Sequence, residues 1–117
     1  MKKSIDWSKL TFTYLDTDAH VRHVWRDGRW DDGTLVREPY LTMHIAATAL
    51  HYGQAAFEGL KAFEWRDGRV RLFRPLENAR RLMSSARRMR MAEVPETLFL
   101  DAVRRAVRAN LDYVPPH

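Results

Sequence analysis

The chain has 117 residues, 45% hydrophobic and 30% charged, which is enough for one domain or part of one with a single core. No stretch approaches the roughly 18 apolar residues of a membrane span, and the basic start Met1-Lys2-Lys3-Ser4-Ile5-Asp6 has no apolar run behind it, which argues against a secretory signal. Zero cysteines exclude disulfides and thiolate metal sites and fit a cytoplasmic protein, while a net charge of +5 invites an anionic partner.

In chain order, the first structured unit is a hairpin from about Ala19 to Trp30. Asp27-Gly28 sits at its turn, and Val21, His23 and Trp25 alternate against His20, Arg22 and Val24. Asp-Gly suits a type I′ turn because both central positions need positive φ. Asp31-Asp32-Gly33 reads as a further turn. Thr42–Gly53 mixes helical and extended signals, and a short helix is expected around Tyr52–Phe57, ending near Gly59. A second hairpin follows, Leu60–Trp65 against Arg69–Phe73, in which Arg66-Asp67-Gly68-Arg69 repeats the earlier Arg26-Asp27-Gly28-Arg29.

Two helices come next. The first is expected at about Glu77–Met91, behind Pro75, with Ala79, Leu82, Met83, Ala86 and Met89 as its apolar stripe and Arg81, Ser84, Ser85 and Arg88 opposite. The second starts near Pro95-Glu96 and buries Leu98, Phe99, Ala102, Val103, Ala106 and Val107. Arg104, Arg105 and Arg108 near its end suit the helix dipole. Tyr113-Val114-Pro115-Pro116 stops it. Hairpins followed by helices predict an α+β fold, with two C-terminal helices packed against antiparallel hairpins.

Few residues stand out for chemistry. No Gly-rich phosphate loop is present, and no serine lies in a nucleophile-elbow context. His20 and His23 would face opposite sides of a strand, so no metal site is expected. Phe12, Tyr52 and Phe57 suit either an apolar pocket or a core, and spacing alone leaves both open. Arg81 points away from the apolar stripe. It is either a solvated arginine or one that holds a phosphate by charge-assisted bonds.

Certain strings go further than composition. Leu50-His51-Tyr52-Gly53-Gln54, Phe57-Glu58-Gly59-Leu60-Lys61-Ala62, Leu72-Phe73-Arg74-Pro75 and Asn78-Ala79-Arg80-Arg81 appear in this order, followed by Met91-Ala92-Glu93-Val94-Pro95 and Val114-Pro115-Pro116. Together they resemble the N-terminal small domain of branched-chain aminotransferases, which are fold-type IV pyridoxal phosphate enzymes. The similarity runs from about Phe12 to Pro116. It implies that residues 1–117 form the N-terminal part of such a domain. The complete enzyme would move the amino group of leucine, isoleucine or valine to 2-oxoglutarate. By the same resemblance, Arg81 contacts the cofactor phosphate, Phe12 and Phe57 are substrate-pocket aromatics, and Tyr52 closes the pocket of a neighbouring subunit in a homodimer. Glu58 and Gly59 receive no chemical role.

The lysines are Lys2, Lys3, Lys9 and Lys61, and none matches the cofactor-bearing lysine of the family. The resemblance therefore implies that no catalytic residue lies in this chain, that the lysine belongs to a second domain, and that the chain alone is inactive. D-amino acid aminotransferases and aminodeoxychorismate lyases share the fold but match the first and third strings less well. The alternative from a different class is a small basic binding or interaction module without catalysis, resting on the arginine-rich helices. It would bind nucleic acid with a steep salt dependence, whereas the resemblance implies neither a nucleic-acid nor a membrane partner.

Overall fold

The computed structural model describes residues 3–12 and 14–116, so Met1 and Lys2 of the basic start lie outside the described residues. The strands are β1 (His20–Arg22), β2 (Trp25–Arg26), β3 (Arg29–Trp30), β4 (Thr34–Val36), β5 (Ala62–Glu64) and β6 (Val70–Leu72). The α-helices are α1 (Thr48–Tyr52), α2 (Pro75–Arg88) and α3 (Glu96–Ala109), and short 3-10 turns cover Trp7–Lys9 and Leu111–Tyr113. The class is α+β, as expected, and the strands form three antiparallel pairs, β1–β4, β2–β3 and β5–β6, among the described residues.

The first hairpin is longer than its sequence pattern suggested. Trp25 pairs with Trp30 across the Asp27-Gly28 turn, and both turn residues have positive φ, 51° and 78°. Beyond it, however, His20 pairs with Val36 and Arg22 with Thr34. Between Arg22–Thr34 and Trp25–Trp30 the outgoing strand has two residues and the returning strand has three, Asp31, Asp32 and Gly33. Asp31-Asp32-Gly33 is thus a bulge inside a bent ribbon, not a turn that ends it. Gly33 supplies φ 73°, and the Asp31 carboxylate accepts from the amides of Val24 and Gly33, both at 3.0 Å.

The repeated tetrapeptide does not form the same turn twice. In the second hairpin Trp65 and Arg69 face each other, the Trp65 amide donating to the Arg69 carbonyl at 2.9 Å, and the loop is Arg66-Asp67-Gly68. Only Gly68 has positive φ there, 74°. A three-residue loop needs one left-handed position where a two-residue type I′ loop needs two. Asp67 accepts from the Arg69 amide at 3.0 Å and pairs with Arg71, whose guanidinium stacks 4.6 Å over the Trp65 ring.

The short helix lies one turn earlier than expected, at Thr48–Tyr52, because Gly53 ends it in a left-handed conformation with φ 61°. Residues 53–61 then run without regular structure. Gln54 ties this segment to the end of α2 by donating to the Met89 carbonyl at 2.7 Å.

Helix α2 begins at Pro75, whose missing N–H costs nothing in a first turn. It packs on α3, and α3 packs on β1. Ala79 and Ala86 of α2, Phe99 of α3, Ala19 and Val114 are the buried apolar residues among those described. The remainder of the expected stripe is half-buried, except Met89, which is exposed. Asn110 at the end of α3 joins helix to ribbon: its Oδ1 accepts from the amides of Asp18 and Ala19, and its Nδ2 donates to the Ala19 carbonyl at 2.7 Å. No helix among the described residues is long and apolar enough to cross a membrane.

Candidate functional site

Arg81 and Asn78 are three apart on α2, so their side chains leave the same helix face. The irregular segment 53–61 passes in front of that face and brings Glu58 to it. Arg81 Nε donates to Glu58 Oε1 at 2.5 Å and Nη2 donates to Oε2 at 2.8 Å, a two-bond fork. Asn78 Nδ2 donates to Glu58 Oε2 and to the Gly59 carbonyl, each at 2.9 Å. The amide therefore fixes both the carboxylate and the backbone that carries it.

Burial across this pair is unequal. The Glu58 side chain is 8% exposed and that of Arg81 is 65% exposed. The carboxylate is the inner, anchored partner, and the guanidinium is the outer one. Arg81 holds the Glu58 carboxyl below the usual range, with Asn78 adding to this against the opposing effect of burial. Glu58 in turn pushes the Arg81 guanidinium higher still, so the pair is fully ionised near neutral pH. The Nη1 edge of Arg81 has no hydrogen-bond partner among the described residues. A guanidinium with five donors, two of them spent on Glu58, keeps an outward edge for an anion. Its donors suit a phosphate, and no neighbouring carboxylate occupies that edge.

Phe57, next to Glu58, is exposed, and its ring runs beside Gly59, where an added Cβ would meet Cε1 at 3.6 Å. Phe12 and Tyr52 are also exposed, and neither side chain has a hydrogen bond or ring contact among the described residues. The structure thus brings Phe57 to the Arg81 cluster through the backbone and gives Phe12 and Tyr52 no contact with it. None of the three aromatics is core. Glu58 and Asn78 are the residues that sequence reasoning missed. The signal was available in part, since Asn78 and Arg81 share a helix face, but nothing in the spacing says that Glu58 meets them.

The charge that suggested a nucleic-acid surface is partly spent within the chain. Arg80 pairs with Glu77 and Glu96, Arg81 with Glu58, and Arg87 with Glu93. Arg105 donates to the carbonyls of Asp32 and Gly33 in the bulge. No group of three or more metal-ligating side chains is found among the described residues.

No protein-family model matches the chain. Its sequence is 45% identical over 115 residues to the branched-chain-amino-acid aminotransferase of Haemophilus influenzae, covering 98% of this chain and 34% of that enzyme. The corresponding enzyme of Helicobacter pylori is 43% identical, with the same two coverages. The chloroplastic branched-chain-amino-acid aminotransferase 5 of Arabidopsis thaliana is 41% identical over 96% of this chain and 27% of its own length. The resemblance read from the motifs is borne out: along nearly its whole length the chain is homologous to branched-chain aminotransferases. It spans about a third of the length of the first two.

Proposed function

We propose that the chain works as part of a branched-chain aminotransferase, within which it holds the cofactor phosphate and supplies one side of the substrate pocket. The complete enzyme would transfer the amino group of leucine, isoleucine or valine to 2-oxoglutarate. Homology over 98% of the chain supports this reading. The outward Nη1 edge of Arg81, held beside an anchored carboxylate, is the observation that carries the phosphate role.

Pyridoxal phosphate, when bound, supplies the electron sink and the amino carrier. Arg81 binds its phosphate. Phe57 and Phe12 offer rigid apolar surface to a branched side chain and exclude water from it. Tyr52 reaches a neighbouring subunit, so the enzyme is a homodimer with shared sites. The exposure of all three aromatics accords with a pocket whose remaining walls come from other parts of the assembly. The lysine that carries the cofactor lies outside residues 1–117, and a cytoplasmic setting belongs to the same proposal.

Replacing Arg81 with Ala in the complete enzyme removes charge-assisted bonds to the phosphate. The expected result is a rise of about tenfold or more in the dissociation constant for pyridoxal phosphate, read by dialysis and cofactor absorbance. Unchanged retention would remove Arg81 from the phosphate site. Leucine outperforming D-alanine as amino donor would place the enzyme with the branched-chain group, and the reverse would move it to the D-amino acid relatives.

A further inference from the structure

Glu58 has no role in the function proposed above, yet it is the most anchored ionised group in the cluster. We propose that Glu58 is a positioning residue for Arg81: it holds the Nε–Nη2 edge so that the Nη1 edge faces the cofactor phosphate. This rests on Arg81 being the phosphate ligand.

A carboxylate beside a phosphate-binding arginine has two opposed effects. It subtracts positive potential from the site, which weakens an incoming dianion. It also removes rotamer freedom from a long side chain before the ligand arrives, which strengthens binding. The geometry decides between them. A pair that only cancelled surface charge would have two mobile, exposed partners. Here the carboxylate is 8% exposed and is gripped from a second side by Asn78, at 2.9 Å. Asn78 also holds the carbonyl of Gly59, so the backbone carrying Glu58 is fixed to the helix carrying Arg81. The fork of two bonds sets the plane of the guanidinium, and a fixed plane sets the direction of the remaining N–H groups. Asn78, Glu58 and Arg81 form a chain of support ending at the phosphate ligand.

The two effects predict opposite signs, which makes the test decisive. The complete enzyme is made with Glu58→Gln, and its affinity is measured for pyridoxal phosphate and for pyridoxal, which lacks the phosphate. Positioning predicts a loss of about tenfold for pyridoxal phosphate, the order found when groups that orient metal ligands are removed, with pyridoxal unaffected. Equal or tighter binding of pyridoxal phosphate would overturn the proposal, because Glu58 would then act only by subtracting charge. An equal loss for both compounds would also overturn it, because the effect would not pass through the phosphate. Arg81→Ala is run in parallel. If it leaves pyridoxal phosphate affinity unchanged, the phosphate role of Arg81 fails and this proposal falls with it; if it weakens binding, the Glu58 result stands on its own. Should Glu58→Gln not fold, Asn78→Ala leaves the ion pair but frees the carboxylate from its second donor. It is expected to weaken binding by less than Glu58→Gln does, again only for the phosphorylated compound. No loss there would overturn the proposal.

Discussion

At the scale of the residue, the site is organised by an inner carboxylate rather than by the arginine that draws attention in the sequence. Its depressed pKa has a consequence for stability. A carboxyl that ionises more readily in the folded chain than in the unfolded chain stabilises the fold above its ordinary value of 4.5, and loses that contribution as pH falls through the lower folded value. Glu58→Gln should therefore flatten the acid limb of the stability curve below about pH 4.5. Urea melts at pH 7 and at successively lower pH would measure this, and an acid limb identical to that of the parent would refute it. Arg81 was legible from sequence as an arginine off the apolar stripe. Glu58 was not, because it reaches Arg81 over 23 residues through an irregular segment, and no periodicity describes such a segment.

At the scale of the element, both long helices were legible to within a few residues because apolar spacing, Pro75 and Pro95-Glu96 all pointed the same way. The ribbons were less so. One Arg-Asp-Gly-Arg string turns in two residues and the other in three, and the difference is set by the pairing outside the turn. The bulge at Asp31–Gly33 was hidden for a similar reason: its identity depends on Thr34–Val36 continuing the ribbon. Gly33→Ala tests it. A Cβ there would collide with the His23 ring, and the left-handed backbone alone costs about 1–2 kcal/mol for a side chain. His23 is itself hemmed in, with Nδ1 on the Asp31 carbonyl at 3.1 Å and Nε2 buried. The variant should lose more than about 1 kcal/mol in denaturant melts. A loss smaller than that would mean the bulge relaxes freely.

At the scale of the whole molecule, the core is thin. Only Ala19, Ala79, Ala86, Phe99 and Val114 are buried apolar residues among those described, while Phe12, Tyr40, Ile45, Tyr52, Phe57 and Phe73 are widely exposed. The radius of gyration is 15.8 Å, against ~13 Å for a compact chain of about this size. Exposed apolar surface on this scale accords with the proposed place of the chain within a larger enzyme. If the cofactor-bearing lysine lies outside residues 1–117, as proposed, the chain purified alone should show no transamination with leucine and 2-oxoglutarate. It should also self-associate in sedimentation. Activity free of contaminating enzyme, or a strictly monomeric chain at micromolar concentration, would contradict these expectations.

The Asn110 clasp bears on the order of events during synthesis. It binds the entrance of the first ribbon through contacts spanning 91 residues, so that ribbon emerges from the ribosome long before its fastener exists. At about 5–20 residues per second, the wait is on the order of 5–20 s. Through that interval the early ribbon has only its own turn and bulge to hold it, and Trp30, edge to face with Trp25 at 5.5 Å, lacks the Glu93 carbonyl that later accepts from its indole N–H at 2.9 Å. A nascent chain stalled before residue 110 therefore presents this ribbon without its fastener, a form open to capture by a chaperone.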